Sequence, residues 1–143
     1  MADEILLDVA DGIATITLNR PEKRNAFSDA MLKRWVGMLD ECQAREDVNV
    51  IVITGAGAAF SSGGDVGRME EKAAKGPVQI KRDLWEITQS LPRKMSEMEK
   101  PLIAAVNGVA VGIGLTMLLH CDIVLVARSA RLKVPFISLG VTT

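Results

Sequence analysis

The chain has 143 residues and carries 17 basic and 18 acidic side chains, so its net charge is −1. The length suggests one domain, and 48% hydrophobic with 24% charged residues excludes a disordered chain. The balanced charge argues against a nucleic-acid binder, which carries a basic face. One histidine and two distant cysteines, with no CxxC pair, argue against a disulfide framework or a bound metal.

The N-terminus lacks the basic region and the apolar stretch of a signal peptide. Together with the cysteine usage, this favours a reducing, cytoplasmic location. Residues 101–121 carry no charge and are long enough to raise the question of a membrane span. They are interrupted by Asn107-Gly108 and Gly112-Ile-Gly114, which are turn signals. We therefore expect a strand, a turn and a helix in a globular core, and no membrane partner.

The first third of the chain predicts a hairpin and a helix. Residues 5–19 alternate apolar and polar side chains around an Asp-Gly turn, which predicts a β-hairpin. A charged loop follows over residues 20–25. Ser28 then begins a helix that runs to about residue 45, because apolar residues recur at helical spacing.

Strands and helices alternate through the rest of the chain. The predicted strands are residues 50–54, 102–106 and 123–127, with a short extended piece at 131–134. The predicted helices are residues 78–98, with a break at Pro92, and residues 112–120. Residues 55–64 are predicted as one long loop. The alternation predicts a single α/β unit without repeats or linkers.

A glycine-rich loop after the 50–54 strand raises the question of nucleotide binding. Gly55 and Gly57 resemble the start of a dinucleotide-binding loop, but position 60 is Phe and the loop continues through Gly64. No second strand with an acidic end follows at the required distance, so this interpretation fails. A Walker phosphate loop also fails, because no Gly-Lys-Ser/Thr sequence follows either glycine cluster.

Two glycine-rich turns therefore remain, at residues 60–65 and 107–114. Each follows a predicted buried strand and opens toward a helix. Backbone N–H groups at such a position suit an anion or a developing oxyanion. The alternative is that the glycines only permit tight turns and close packing.

Three motifs occur in order along the chain: Arg20-Pro-Glu-Lys-Arg-Asn-Ala26, Phe60-Ser-Ser-Gly-Gly-Asp65, and Asn107-Gly-Val-Ala-Val-Gly-Ile-Gly114 followed by Cys121-Asp-Ile123. Their order and spacing resemble the crotonase, or enoyl-CoA hydratase/isomerase, superfamily. The resemblance implies an α/β fold that is a spiral of ββα units, of which residues 1–143 form the N-terminal part. It also implies homotrimers or dimers of trimers.

The resemblance implies an acyl-CoA thioester from fatty acid metabolism as the small-molecule substrate. Coenzyme A is then part of the substrate, and no separate cofactor or metal is implied. By motif position, the backbone N–H groups of Gly64 and Ile113 form the oxyanion hole. The substrate-binding positions are Arg24, Ala26, Ser62, Gly63, Asp65, Val66, Gly112 and Pro135. Asp65 alternatively caps a helix that begins at Val66, and the basic loop either attracts the coenzyme's phosphates or is a solvated turn.

Departures from the family pattern indicate the reaction. Family hydratases carry glutamates at the positions that are Thr116 and Phe136 here, which disfavours hydration. Ile113 replaces the usual glycine, so a helical φ is required there. These departures resemble the peroxisomal-type 3,2-trans-enoyl-CoA isomerases, whose catalytic glutamate would be the residue after Thr143. A non-catalytic acyl-CoA binder remains the alternative, and a Rossmann-type nucleotide binder ranks last.

Overall fold

The computed structural model describes residues 3–65, 67 and 76–139. A two-residue turn joins β1 (Ile5–Ala10) to β2 (Ile13–Leu18) in an antiparallel hairpin. Asp11 and Gly12 form this turn with φ angles of 52° and 80°. Positive φ at both central residues is what a type I′ hairpin turn requires. The predicted hairpin is confirmed.

The first helix, α1 (Asp29–Ala44), begins where the sequence predicts. The Ser28 hydroxyl oxygen accepts a hydrogen bond from the Met31 N–H at 3.0 Å, which satisfies one of the donors that a helix start leaves unpaired. Trp35 is fully buried and meets the Phe27 ring edge to face at 5.7 Å. The buried face of α1 comprises Met31, Leu32, Trp35, Met38, Leu39 and Cys42.

Three parallel strands extend the hairpin into a five-stranded sheet. They are β3 (Val50–Gly55), β5 (Leu102–Val106) and β7 (Ile123–Val126), and the strand order is β1-β2-β3-β5-β7. Pairing is parallel from β2 onward. Because parallel strands end at the same edge of a sheet, the loops that follow β3 and β5 begin at neighbouring points.

A second sheet consists of three short parallel strands, of which the sequence predicts only the one in the extended piece at 131–134. It contains β4 (Ala59–Ser61), β6 (Val109–Val111) and β8 (Leu132–Lys133) in that order. The prediction of an unbroken loop over residues 55–64 is therefore wrong. Strands of two or three residues show no detectable alternation, and they form here through pairing with distant segments.

The helix predicted over residues 78–98 is divided in two, but not at the predicted point. A π-helical turn, Leu84–Thr88, separates α2 (Pro77–Asp83) from α3 (Ser90–Ser96). Pro92 is the third residue of α3, where an N–H would have no partner within that helix. The predicted break at Pro92 is therefore wrong by about one turn.

The uncharged segment 101–121 forms several short elements instead of one long helix. After β5 and β6 it continues as α4 (Ile113–Thr116) and a 3₁₀ turn, Met117–His120. Among the described helices, none is long and apolar enough to cross a membrane. Two strands followed by helical structure recur, as β3, β4, α2 and α3 and then as β5, β6 and α4. This succession confirms the predicted α/β spiral of ββα units.

The last strand of the larger sheet is more exposed than the prediction of buried strands implies. All four residues of β7 are between 39% and 59% exposed, and no described strand pairs with the outer edge of β7. A groove of about 370 Å³ lies beside it. Its lining residues are Leu115, Thr116, Leu118, Leu119, Val124, Val126, Leu132 and Val134.

This exposed strand predicts how the 143-residue chain behaves when it is expressed by itself. Apolar side chains on an unpaired edge promote edge-to-edge association, so we expect concentration-dependent self-association in light scattering. The double variant with Ile123→Lys and Leu125→Lys should associate less, because charges at a sheet edge oppose the addition of another strand. Equal scattering by the double variant and the unmodified chain would show that β7 is not the contact.

Candidate active site

The Asn25 side chain connects the charged loop, residues 20–25, to the segment after β3 through hydrogen bonds. It is fully buried, and its φ of 55° lies in the left-handed region that asparagine tolerates better than most residues. The side-chain nitrogen donates to the carbonyls of Ala56 and Ala59 at 2.9 and 2.8 Å. The side-chain oxygen accepts from the Arg20 N–H at 2.8 Å. This anchor lies inside a motif noted in the sequence, but its role was not predicted.

Gly64 presents one of the two predicted N–H donors. The Phe27 N–H donates to the Gly63 carbonyl at 2.8 Å, and Phe27 forms a parallel bridge with Gly64. In a trans peptide the N–H points opposite to the carbonyl, so the Gly64 N–H points away from Phe27. Within the described part of the chain, this N–H has no acceptor.

Ile113 presents the second predicted donor at the start of α4. The Gly112 carbonyl accepts hydrogen bonds from the N–H groups of Leu115 and Thr116 at 2.9 and 3.0 Å. The Ile113 N–H belongs to the same peptide, so it points away from α4. It too has no acceptor among residues that the structure describes. The required helical φ at Ile113 is confirmed, because the left-handed angle of 57° falls on Gly112.

Gly63 brings the two donor-bearing loops into contact. Its φ is 89°, and a Cβ added to it would stand 2.6 Å from the Val111 carbonyl oxygen and 3.5 Å from the Ile113 nitrogen. Only a residue without a side chain permits so close an approach. The peptide that carries the Gly64 N–H therefore lies beside the N-terminus of α4. Two adjacent unpaired donors can stabilise an oxygen that gains negative charge.

The structure places several of the predicted substrate-binding residues along the loops that flank these donors. Arg24 is exposed, and its carbonyl accepts from the Ser62 N–H at 2.9 Å. Ser62 is half-buried, and its hydroxyl donates to the Lys23 carbonyl at 3.3 Å. Ala26 is buried. Residues 23–26 and Ser62 therefore lie side by side, and their role in binding a substrate stays a prediction.

Pro135 reaches the site from the other side. Its Cδ would lie 3.8 Å from a Cβ at Gly112, and the Phe136 ring would lie 4.0 Å from the same point. Pro135 thus lies against the loop that carries the second donor. Val66, the remaining predicted substrate-binding residue, lies outside the described residues.

Arg20 and Asp65 form an ion pair that alters the prediction for the basic loop, residues 20–25. The Arg20 side chain is only 13% exposed, and its Nη1 lies 3.3 Å from Asp65 Oδ2. Its Nε lies 3.0 Å from a Glu4 carboxylate oxygen. Because both contacts point inward, Arg20 is not free to receive a phosphate, whereas Lys23 and Arg24 are exposed. The helix predicted to begin at Val66, which Asp65 would cap, lies outside the described residues.

Three further described residues, Thr116, Phe136 and Cys121, supply little proton-transfer chemistry. Thr116 and Phe136 cannot act as carboxylate bases. Burial, together with the charge of Asp122, raises the pKa of the Cys121 thiol to about 11. Cys121 is therefore a neutral thiol at physiological pH and a poor nucleophile. Among the described residues, no cluster of three potential metal ligands occurs. The arrangement provides donors for a developing negative charge.

Comparison with known proteins gives consistent matches over nearly the whole chain. A family model described as Enoyl-CoA hydratase/isomerase matches residues 8–143. The 1,2-epoxyphenylacetyl-CoA isomerase of Escherichia coli (strain K12) is 35% identical over 140 residues, which are 98% of this chain and 53% of that protein. The 2,3-dehydroadipyl-CoA hydratase of the same strain is 35% identical over 139 residues, which are 96% and 52%.

A solved structure shows the same likeness in three dimensions. Pseudomonas aeruginosa OdaA matches this chain with a TM-score of 0.86 and 41% sequence identity. The match covers 97% of this chain and 53% of that chain. The chain spans about half the length of the curated relatives it matches.

Proposed function

Because the chain belongs to the enoyl-CoA hydratase/isomerase family, we propose that it binds an acyl-CoA thioester through the N–H groups of Gly64 and Ile113. The proposed reaction moves the double bond of a 3-enoyl-CoA to the 2-trans position. The observation that carries this proposal is the pair of unpaired amides on two touching loops.

The proposed mechanism follows from where charge develops. Removal of a proton from C2 of a 3-enoyl thioester leaves a dienolate, whose negative charge resides largely on the thioester oxygen. A preorganised N–H donor at such an oxygen is worth about 3–4 kcal/mol in the transition state. Return of the proton to C4 then places the double bond between C2 and C3. The Gly64 and Ile113 donors would act throughout this sequence.

The proposed reaction also needs a group that removes the proton from C2. Positions 116 and 136 are threonine and phenylalanine, which disfavours activation of water and therefore favours isomerisation over hydration. By analogy with the isomerases that the sequence resembles, the proposed base would follow Thr143. We propose a glutamate there as the group that takes the proton from C2 and returns it to C4.

We also propose a position for the coenzyme portion of the substrate. The exposed basic residues Lys23 and Arg24 lie next to Ser62, where they can attract phosphate groups. The proposed wall consists of Arg24, Ala26, Ser62, Gly63, Asp65, Val66, Gly112 and Pro135. A cytoplasmic homotrimer or dimer of trimers completes the proposal, and light scattering of the expressed protein tests the oligomeric state.

An assay of two acyl-CoA substrates tests the proposed reaction. The chain is expressed with any coding sequence that follows Thr143 in its gene, and it is supplied with a 3-enoyl-CoA. We expect ultraviolet absorbance to rise as the double bond becomes conjugated with the thioester. A 2-enoyl-CoA serves as the second substrate, because hydration would lower the same absorbance. Hydration without isomerisation would contradict the proposed reaction.

A non-catalytic acyl-CoA binder is the second candidate. It is favoured by the same substitutions at positions 116 and 136, because the donors remain while the hydratase carboxylates are replaced. Calorimetry with an acyl-CoA distinguishes the candidates. Binding without turnover of either substrate supports the binder, and absence of binding argues against both.

A further inference from the structure

Ser61 is a buried polar residue directly behind the two donors. Asn25 and Ser61 are the buried polar residues of the described part of the chain, and both are 0% exposed. The Ser61 hydroxyl donates to the Asn25 carbonyl at 2.9 Å and accepts from the Gly63 N–H at 3.0 Å. Because Ser61 is inaccessible, this hydroxyl acts on the neighbouring backbone and not on a ligand.

The Ser61 hydroxyl fixes one side of Gly63, and Phe27 fixes the other. The Gly63 N–H is held by Ser61, and the Gly63 carbonyl is held by the Phe27 N–H at 2.8 Å. Gly63 is otherwise free to rotate, since glycine populates a wide range of φ and ψ. With both flanking peptide planes held, the direction of the Gly64 N–H is set.

The same side chain also touches the second loop. A Cβ added to Gly114 would lie 2.8 Å from the Ser61 Cβ and 2.9 Å from both the Ser61 carbonyl and hydroxyl oxygens. The start of α4 therefore rests directly on Ser61. Ile113, the residue before Gly114, carries the second donor. One buried serine thus contacts both loops that present the N–H groups.

We propose that Ser61 is a positioning residue, which sets the direction of the Gly64 N–H and the separation of the two donors. This inference rests on the proposed function. Loss of the hydroxyl in Ser61→Ala leaves the Gly63 N–H and the Asn25 carbonyl without their buried partner. The Ser62–Gly63 peptide can then rotate, and the donor geometry becomes imprecise.

The test measures carbonyl polarisation as well as turnover, in the protein that contains this chain at full length. The probe is a CoA thioester whose acyl group is a conjugated chromophore with an electron-donating substituent. Donors aimed at its carbonyl shift the absorption of the bound probe to longer wavelength. We expect Ser61→Ala to bind the probe but to lose most of this shift. We also expect kcat to fall about 10- to 100-fold, with KM changed by less than about threefold because ground-state binding is retained.

Two further variants complete the experiment. Thr54→Val is the matched control, because it removes a half-buried hydroxyl that donates to the Ala105 carbonyl at 2.9 Å, between β3 and β5 of the larger sheet. It should keep the red shift and kcat. Ser61→Cys keeps a similar volume with a weaker hydrogen-bonding group, so it should give an intermediate shift. Ser61→Cys also replaces Ser61→Ala in the experiment if Ser61→Ala does not fold.

The outcomes separate this inference from the proposed function. A red shift in the unmodified protein that survives unchanged in the Ser61 variants would overturn the positioning role and leave the proposed function intact. Absence of a red shift in the unmodified protein would overturn the proposed pair of donors, and with it the role of Ser61. Equal losses in Thr54→Val and Ser61→Ala would also overturn the role, because the effect would then follow stability alone.

Discussion

Replacement of Gly63 by alanine is expected to lower kcat about 100- to 1,000-fold, the loss that follows removal of one oxyanion donor. The added Cβ would stand 2.6 Å from the Val111 carbonyl oxygen, so the two loops must separate. The φ of 89° at this position adds a left-handed penalty of about 1–2 kcal/mol for a residue with a side chain. Steady-state kinetics with a 3-enoyl-CoA, together with urea unfolding, measure the two effects.

Gly76→Ala is the matched control for this prediction. Gly76 has a similar φ of 83°, but a Cβ there would meet nothing within 4 Å. Its substitution therefore introduces the torsional penalty without the clash and should leave kcat unchanged. If Gly63→Ala and Gly76→Ala reduce kcat and stability equally, close contact between the loops is not what the site requires.

Local signals in the sequence were sufficient for the elements on which the site is built. The Asp-Gly turn predicted the first hairpin, because its two residues must both adopt positive φ. Ser28 predicted the start of α1, because its hydroxyl satisfies a donor at the helix start. The two glycine-rich turns were predicted from clusters of glycine that follow predicted buried strands.

The details that position the donors depend on residues far apart in the chain. Asn25 and Ser61 are 36 residues apart, and neither residue type indicates by itself a buried hydrogen-bonding role. The short strands β4 and β6 pair with each other, and β6 also pairs with β8. Strands of three residues leave no periodic signal in the sequence. Family resemblance predicted which N–H groups face an oxyanion, but the directions of those N–H groups depend on peptide planes that are fixed only by contacts between distant segments.

The exposure of β7 was not predicted from the sequence, for a different reason. Ile123–Val126 is a run of four aliphatic residues, and such a run predicts a strand buried on both faces. Burial depends on what covers each face, which a single segment cannot specify. The same aliphatic run is therefore consistent with a central strand and with the exposed edge that is observed.

Asn25→Ala is expected to lower the free energy of unfolding by about 3–5 kcal/mol, in the range of the largest single-residue effects. The substitution removes hydrogen bonds to Ala56, Ala59 and Arg20 from a residue that is 0% exposed. Each buried group that is left unpaired costs about 1–3 kcal/mol. Urea unfolding followed by circular dichroism measures the change in midpoint.

Two controls separate the hydrogen bonds of Asn25 from its backbone conformation. Asn25→Gly removes the side chain but accepts a φ of 55° without strain, so the difference between the Gly and Ala variants reports the conformational cost. Asn19→Ala removes an exposed side-chain hydrogen bond to the Asp3 carbonyl and should cost about 0.5 kcal/mol. A loss at Asn25→Ala no larger than at Asn19→Ala would show that the charged loop is fastened by other contacts. A loss that disappears in Asn25→Gly would instead assign the whole effect to φ.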